Sequence, residues 1–127
     1  MMNIPSQLKY TRSHEWIKAL ENGCLQVGVT DYAQDSLGDL VFVNLPQAGD
    51  EVTRGESFAD VESVKAVSDI YSPVTGKVRA VNEMLMDSPE AINEDPYGSW
   101  LVELEPGSDQ EELLDAAAYE AFCAEEE

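Results

Sequence analysis

A chain of 127 residues with 26 acidic and 7 basic side chains, formal net charge −19, is long enough for one hydrophobic core. It is too acidic to neutralise a nucleic-acid backbone or an anionic membrane surface, and it suits basic protein partners instead. Its 43% hydrophobic content supports a folded domain, so residues 1–127 are expected to form one unit, with a core over about 8–105 and a helical segment over 108–124.

In chain order, 8–11 is a short strand candidate. His14–Leu20 and Cys24–Val29 read as a hairpin closed by Asn22-Gly23, with Leu25, Val27 and Val29 on one face. Thr30 is an N-cap, Asp31 to Leu37 a short helix, and Gly38 its C′ residue. Leu40–Leu45 is an apolar run of strand length, expected to be buried on both faces. Ser57–Val61 and Val67–Tyr71 alternate with period two, and between them a short break carries Lys65. Gly76–Val81 is a further strand. Gly49–Val52 and Gly76–Val78 form a weak echo of one another on either side of the lysine. Ser88-Pro89-Glu90 begins a helical turn by N-cap and N1 proline. Trp100–Leu104 is the last strand, ended by Pro106-Gly107. Ser108–Glu111 is a capping box for a helix with Leu113, Leu114, Ala117, Ala118, Ala121 and Phe122 on its apolar face, and Asp115 is a cap for a second helix. Many short strands with few helices predict a mostly β fold.

The chemistry-bearing residues are few. Nucleotide-binding glycine loops and His/Cys ligand spacing are missing, so no metal site is predicted. His14 is the only histidine and reads as a strand-edge surface residue. Cys24 and Cys123 read as free thiols of a reducing compartment. The sequence shows neither a bilayer-length apolar run nor a leader, which predicts a cytoplasmic, bacterial-type protein. Lys65, one of four lysines, sits on a hairpin tip and is presented rather than packed. Exposed lysines are ordinary, and solubility alone accounts for most of them.

The frame around Lys65 is more specific. Gly49-Asp50-x-Val52, then Glu62-Ser63-Val64-Lys65, then Ser72-Pro73-x-x-Gly76-x-Val78 resembles the biotinyl and lipoyl carrier domains. Ser13–Trp16, Val27–Gln34, Leu37–Val43, Val61–Ala66, Ile70–Pro73, Val81-Asn82 and Asp95–Gly98 are similar, in order, to the H proteins of the glycine cleavage system. One departure is Gly98-Ser99-Trp100, a residue shorter than the family's loop.

That resemblance implies a barrel-sandwich hybrid with short helices and a C-terminal helix, and a non-catalytic carrier with lipoate in amide linkage on Lys65. Glu62, Ser63, Val64 and Ala66 would be recognised around the lysine, and Ser13, Glu15 and Asp69 would line a cleft for the arm. It also implies partners. A pyridoxal-phosphate glycine decarboxylase (P protein) loads an aminomethyl group, and a tetrahydrofolate-dependent aminomethyltransferase (T protein) removes it. Dihydrolipoamide dehydrogenase (L protein) reoxidises the arm, and a lipoate ligase or octanoyltransferase installs it. The alternatives are another lipoyl or biotinyl carrier, a lipoyl relay, and, from a different class, an unmodified acidic binding module. Val64 and Ala66 stand where biotin carriers have methionines.

Overall fold

The computed structural model describes residues 4–110 and 113–126, with backbone assignments alone for 108–110 and 126. Nine strands, β1 (Lys9–Tyr10), β2 (Glu15–Ala19), β3 (Leu25–Val29), β4 (Leu40–Asn44), β5 (Glu51–Val52), β6 (Ser57–Ser63), β7 (Val67–Tyr71), β8 (Val74–Val81) and β9 (Val102–Gln110), form two antiparallel sheets. One is six-stranded in the order β1-β2-β3-β9-β8-β5, and the other is β4-β6-β7. Four helices accompany them: α1 (Asp31–Leu37), α2 (Met84–Asp87), α3 (Glu90–Glu94) and α4 (Ala116–Glu126). The mostly β class with short helices and a C-terminal helix is as the sequence predicts.

Local chemistry explains the regular parts. The β2–β3 pair closes on a turn in which Gly23 has φ 88°. Thr30 Oγ1 accepts the Ala33 N–H at 3.2 Å to start α1. Gly38, at φ 83°, ends the helix, with its N–H bonded to Gln34 O. The two stretches that echo one another, at 49–52 and 76–78, lie side by side, with Glu51 opposite Lys77 and Val52 opposite Gly76. Apolar residues of both sheets, among them Val27, Val43, Val61, Val78 and Leu104, share one core, closed at one end by Leu85 of α2 and Ile92 of α3. A second cluster, Leu8, Tyr10, Trp16, Tyr119 and Cys123, lies under α4. Cys24 and Cys123 are both buried, and neither is in a disulfide.

Several expectations need correction. β4 is not buried on both faces: Val41 and Phe42 are exposed, because its register shifts between Leu40 and Phe42. The segment after Val81 makes two helical turns, and Ser88 lends no side-chain cap to α3. The last strand does not stop at Pro106-Gly107. β9 continues to Gln110 because the first half of β8 needs a partner. Gly76 lies opposite Pro106, and Val74 opposite Gln110, across a register shift that accommodates the proline. Ser108, Asp109 and Gln110 are therefore strand, not a helix cap, and Glu111 falls outside the described residues.

Helix begins only at Ala116, where Asp115 Oδ1 accepts the Ala118 N–H at 2.8 Å, the second-helix cap the sequence carries. Leu114 instead pairs with Tyr10 as a β-bridge. The starting point sets the helix phase. Tyr119 and Cys123 are buried, Ala116 and Phe122 half-buried, and Ala117, Ala118 and Ala121 exposed, the reverse of the alanine face expected.

Candidate functional site

Lys65 lies in the three-residue connection Val64-Lys65-Ala66 between β6 and β7. Ser63 shapes that bend. Its Oγ accepts the Lys65 N–H at 3.2 Å and the Ala66 N–H at 3.0 Å, while its own N–H reaches Ala66 O at 2.8 Å. The Val64 N–H bonds Asp39 O at 3.2 Å, which ties the bend to the end of α1. All four lysines are exposed, but Lys9, Lys18 and Lys77 sit within β1, β2 and β8, and Lys65 alone occupies a hairpin end.

The lysine stem rests on Gly38, since a Cβ built there would lie 3.5 Å from Lys65 Cε and 3.9 Å from Nζ. The last turn of α1 has no basic residue of its own, so this ammonium stands at the negative end of the helix. Asn93 braces the same corner: its Oδ1 accepts the Leu40 N–H at 2.9 Å, and its Nδ2 donates to Gln34 Oε1 at 3.0 Å and Gly38 O at 2.9 Å.

The far end of β7 carries the second constellation. Glu15 is 1% exposed. Its Oε1 accepts from the Thr11 hydroxyl at 2.5 Å and the Ser13 hydroxyl at 2.6 Å, and its Oε2 accepts the Tyr71 N–H at 3.2 Å. Ser13 is exposed beside it. Asp69 is exposed on the outer face of β7, opposite Asp60 of β6. Ser13 and Glu15 are thus in direct contact and joined to β7, whereas Asp69 stands two residues before the amide they hold. As a buried group Glu15 braces the site and does not line it as an open carboxylate.

The sequence reading missed what holds the Thr11–Glu15 loop. His14 adopts φ 70°, a left-handed conformation in which histidine is among the commoner residues. Its ring stacks on Tyr32 at 4.6 Å, and Nδ1 lies 2.7 Å from the Tyr119 hydroxyl, itself 2.7 Å from Thr30 Oγ1. His14 is therefore packed under α4 and is not a surface edge residue. Burial pushes the Tyr119 hydroxyl well above the ordinary phenol range. Nothing local in the sequence ties Tyr119 to His14; the β-bridge at Leu114 and the cap at Asp115 bring them together. Among the described residues no group of three or more His, Cys, Asp or Glu is arranged to hold a metal ion, and no helix is long and apolar enough to cross a membrane.

A two-sheet β body that holds an amine out on a bend braced by Ser63 and Asp39 has the make-up of a carrier, a protein that presents a group to enzymes. Residues 8–126 match the family model described as Glycine cleavage H-protein. The glycine cleavage system H protein of Lachnoclostridium phytofermentans is 53% identical over 125 residues, covering 98% of each chain. A probable H protein of Pyrococcus abyssi is 54% identical over 122 residues, covering 94% of this chain and 91% of that one. The crystal structure of the H protein from Mycobacterium marinum superposes with TM-score 0.87 at 41% identity, covering 97% of this chain and 98% of that one. The chain belongs to the glycine cleavage H-protein family, the non-catalytic lipoyl carriers of the glycine cleavage system.

Proposed function

We propose that Lys65 is the residue that bears lipoate, and that the carrier serves the P, T and L proteins of glycine cleavage through that arm. The observation that carries this reading is an exposed amine on a bend built by Ser63 and Asp39 backbone and side-chain bonds, in a chain of this family. The residues present suit an acylated lysine. The amine is exposed, and its stem passes over Gly38 at van der Waals distance. Amide formation removes the Lys65 charge and adds a mostly apolar chain that, when bound, supplies a dithiolane able to take up and give back a one-carbon amine. The family implies the arm, the resemblance around Val61–Ala66 assigns it to residue 65, and the exposed, braced bend supports that assignment.

The remaining roles fall to this chain's own side chains. The lysine bend and Tyr71 flank β7, Val67–Tyr71, whose five residues span about 13 Å, so an arm fixed at the bend passes Asp69 midway along the strand and has to run at least that length to meet Ser13. Ser13 offers a hydroxyl at the surface and Asp69 a carboxylate for a cationic amine. Glu15 holds the loop that presents Ser13 and joins it to β7. Glu62, Ser63, Val64 and Ala66 present the lysine to the ligase or octanoyltransferase that modifies it. Intact mass is the test: a lipoyl increment present in the wild-type chain and lost in Lys65→Arg is expected, and an unchanged increment in that variant would refute the assignment.

A further inference from the structure

The exposed apolar surface is gathered in one place. Among the described residues the large hydrophobics left exposed are Val41, Phe42, Val64, Val67, Tyr71, Met84 and Met86. The first five lie on the three-stranded sheet or its Lys65 connection, and the two methionines are on α2, which packs beside β4. The register slip in β4 turns Val41 and Phe42 outward together, 54% and 48% exposed. Across the strands Phe42 pairs with Glu62 and Glu62 with Val67, so one outer row runs Phe42–Glu62–Val67 beside the lysine bend. Val64, 73% exposed, stands on the bend itself. The next row is Asn44–Asp60–Asp69. A patch of exposed apolar residues thus adjoins Lys65, with the Glu62 carboxylate between Phe42 and Val67 and the carboxylates of Asp60 and Asp69 in the row beyond.

We infer that Val41, Phe42, Val64 and Val67 form the docking face for the enzyme that acylates Lys65, a protein whose own contact surface is apolar at its acyl channel and basic around it. The inference rests on Lys65 being the acylated residue, and reach then selects the occupant. In the acylation step the unprotonated Nζ attacks the carbonyl carbon of an acyl adenylate. The amide C–N bond forms, the acyl–phosphate bond breaks, AMP leaves with the electron pair, and the nitrogen gives up a proton to solvent. A bare lysine extends only about 6 Å from its Cα, and here its stem lies against Gly38. An enzyme that brings a carbonyl to that nitrogen has to press on the patch beside it. Enzymes that meet the lengthened arm are free to stand off. Apolar contact area interleaved with carboxylates, with no charge of the opposite sign in these rows, suits a partner that is apolar and basic on the matching surface.

The test uses the full chain as acceptor for a lipoate–protein ligase with lipoate and ATP. The double variant Phe42→Ser/Val67→Ser is expected to raise the acceptor KM about tenfold, with kcat held within about twofold and the unfolding midpoint near wild type. After exhaustive acylation at high ligase concentration, the same variant should be reduced through dihydrolipoamide dehydrogenase at the wild-type rate. An unchanged KM overturns the inference, and so does an equal loss in both assays, which would make the patch a general partner surface. If the wild-type chain is not acylated at residue 65, the site assignment itself fails first.

Discussion

Glu15 is the residue whose replacement should be felt most sharply. It is buried at 1% exposure and accepts three hydrogen bonds, from the Thr11 and Ser13 hydroxyls and the Tyr71 N–H. Glu15→Ala removes every one of those acceptors. Ser13 is exposed and turns to water, and the Thr11 hydroxyl lies 3.2 Å from Ser13 Oγ, so these two recover part of their bonding. The Tyr71 N–H loses the Glu15 carboxylate as its acceptor, at about 1–3 kcal/mol, and the vacated volume adds to it. A total near 3 kcal/mol follows, which for a chain of this size lowers the midpoint by about 10 °C.

Glu15→Gln is different in kind. Its amide oxygen accepts from Tyr71 and its NH₂ donates to the hydroxyls, which rotate to accept, so the cost should stay near 1 kcal/mol. Urea unfolding followed by tryptophan emission measures both variants. An alanine variant within about 0.5 kcal/mol of wild type, or a glutamine variant as damaged as the alanine one, would refute the bracing role. Acylation of Lys65, at the other end of β7, should be unaffected in either.

The remaining predictions concern the bend, the core and alkaline pH. Ser63→Ala removes the acceptor of the Lys65 and Ala66 amides and should cost about 1 kcal/mol; faster hydrogen exchange at those two amides is expected, and unchanged protection would contradict the role given to Ser63. Gly28→Ala should cost about 1–3 kcal/mol, because a Cβ there would lie 2.5 Å from the Trp16 indole, whose Nε1–H is bonded to Pro96 O at 3.0 Å; chemical unfolding reads the loss. Burial pushes the Tyr97 hydroxyl up to about 12, partly offset by the Asp31 N–H it accepts, and raises Tyr10 and Tyr119 further. Phenols titrating higher folded than unfolded contribute stability that is whole below about pH 10. That contribution is lost as pH rises, because the unfolded chain releases its protons first. Stability should therefore fall from about pH 10 upward, less steeply in Tyr97→Phe, and a flat profile to pH 12 would contradict the burial.

Much of this fold is legible in short stretches. Thr30 to Gly38 carries its own cap and stop, Asn22-Gly23 its own turn, and the Lys65 bend lies between two strands whose alternation is plain. These elements are set by neighbours in sequence. What escapes is decided at a distance. Pro106 and Gly107 read as a stop, but β8 holds them in a strand, and the helix beyond starts later and turns a different face inward. Leu40–Leu45 reads as doubly buried, but a register slip against β6 turns Val41 and Phe42 outward.

At the site, Lys65 is visible as a residue on a turn, and Ser13, Glu15 and Asp69 come from the family resemblance. That Glu15 is buried and Asp69 exposed depends on the packing of β2 against the end of β7, which no periodicity encodes. The hold of α4 on His14 spans more than a hundred residues and has no local signature.

The central claim is that one particular amine is the anchor for the arm. Peptide mass spectrometry after treatment of the full chain with ligase, lipoate and ATP addresses it directly. The account predicts the lipoyl increment on the peptide containing Lys65 and on none containing Lys9, Lys18 or Lys77. An unmodified Lys65 under conditions that lipoylate an authentic acceptor, or the increment on any other lysine, would contradict it.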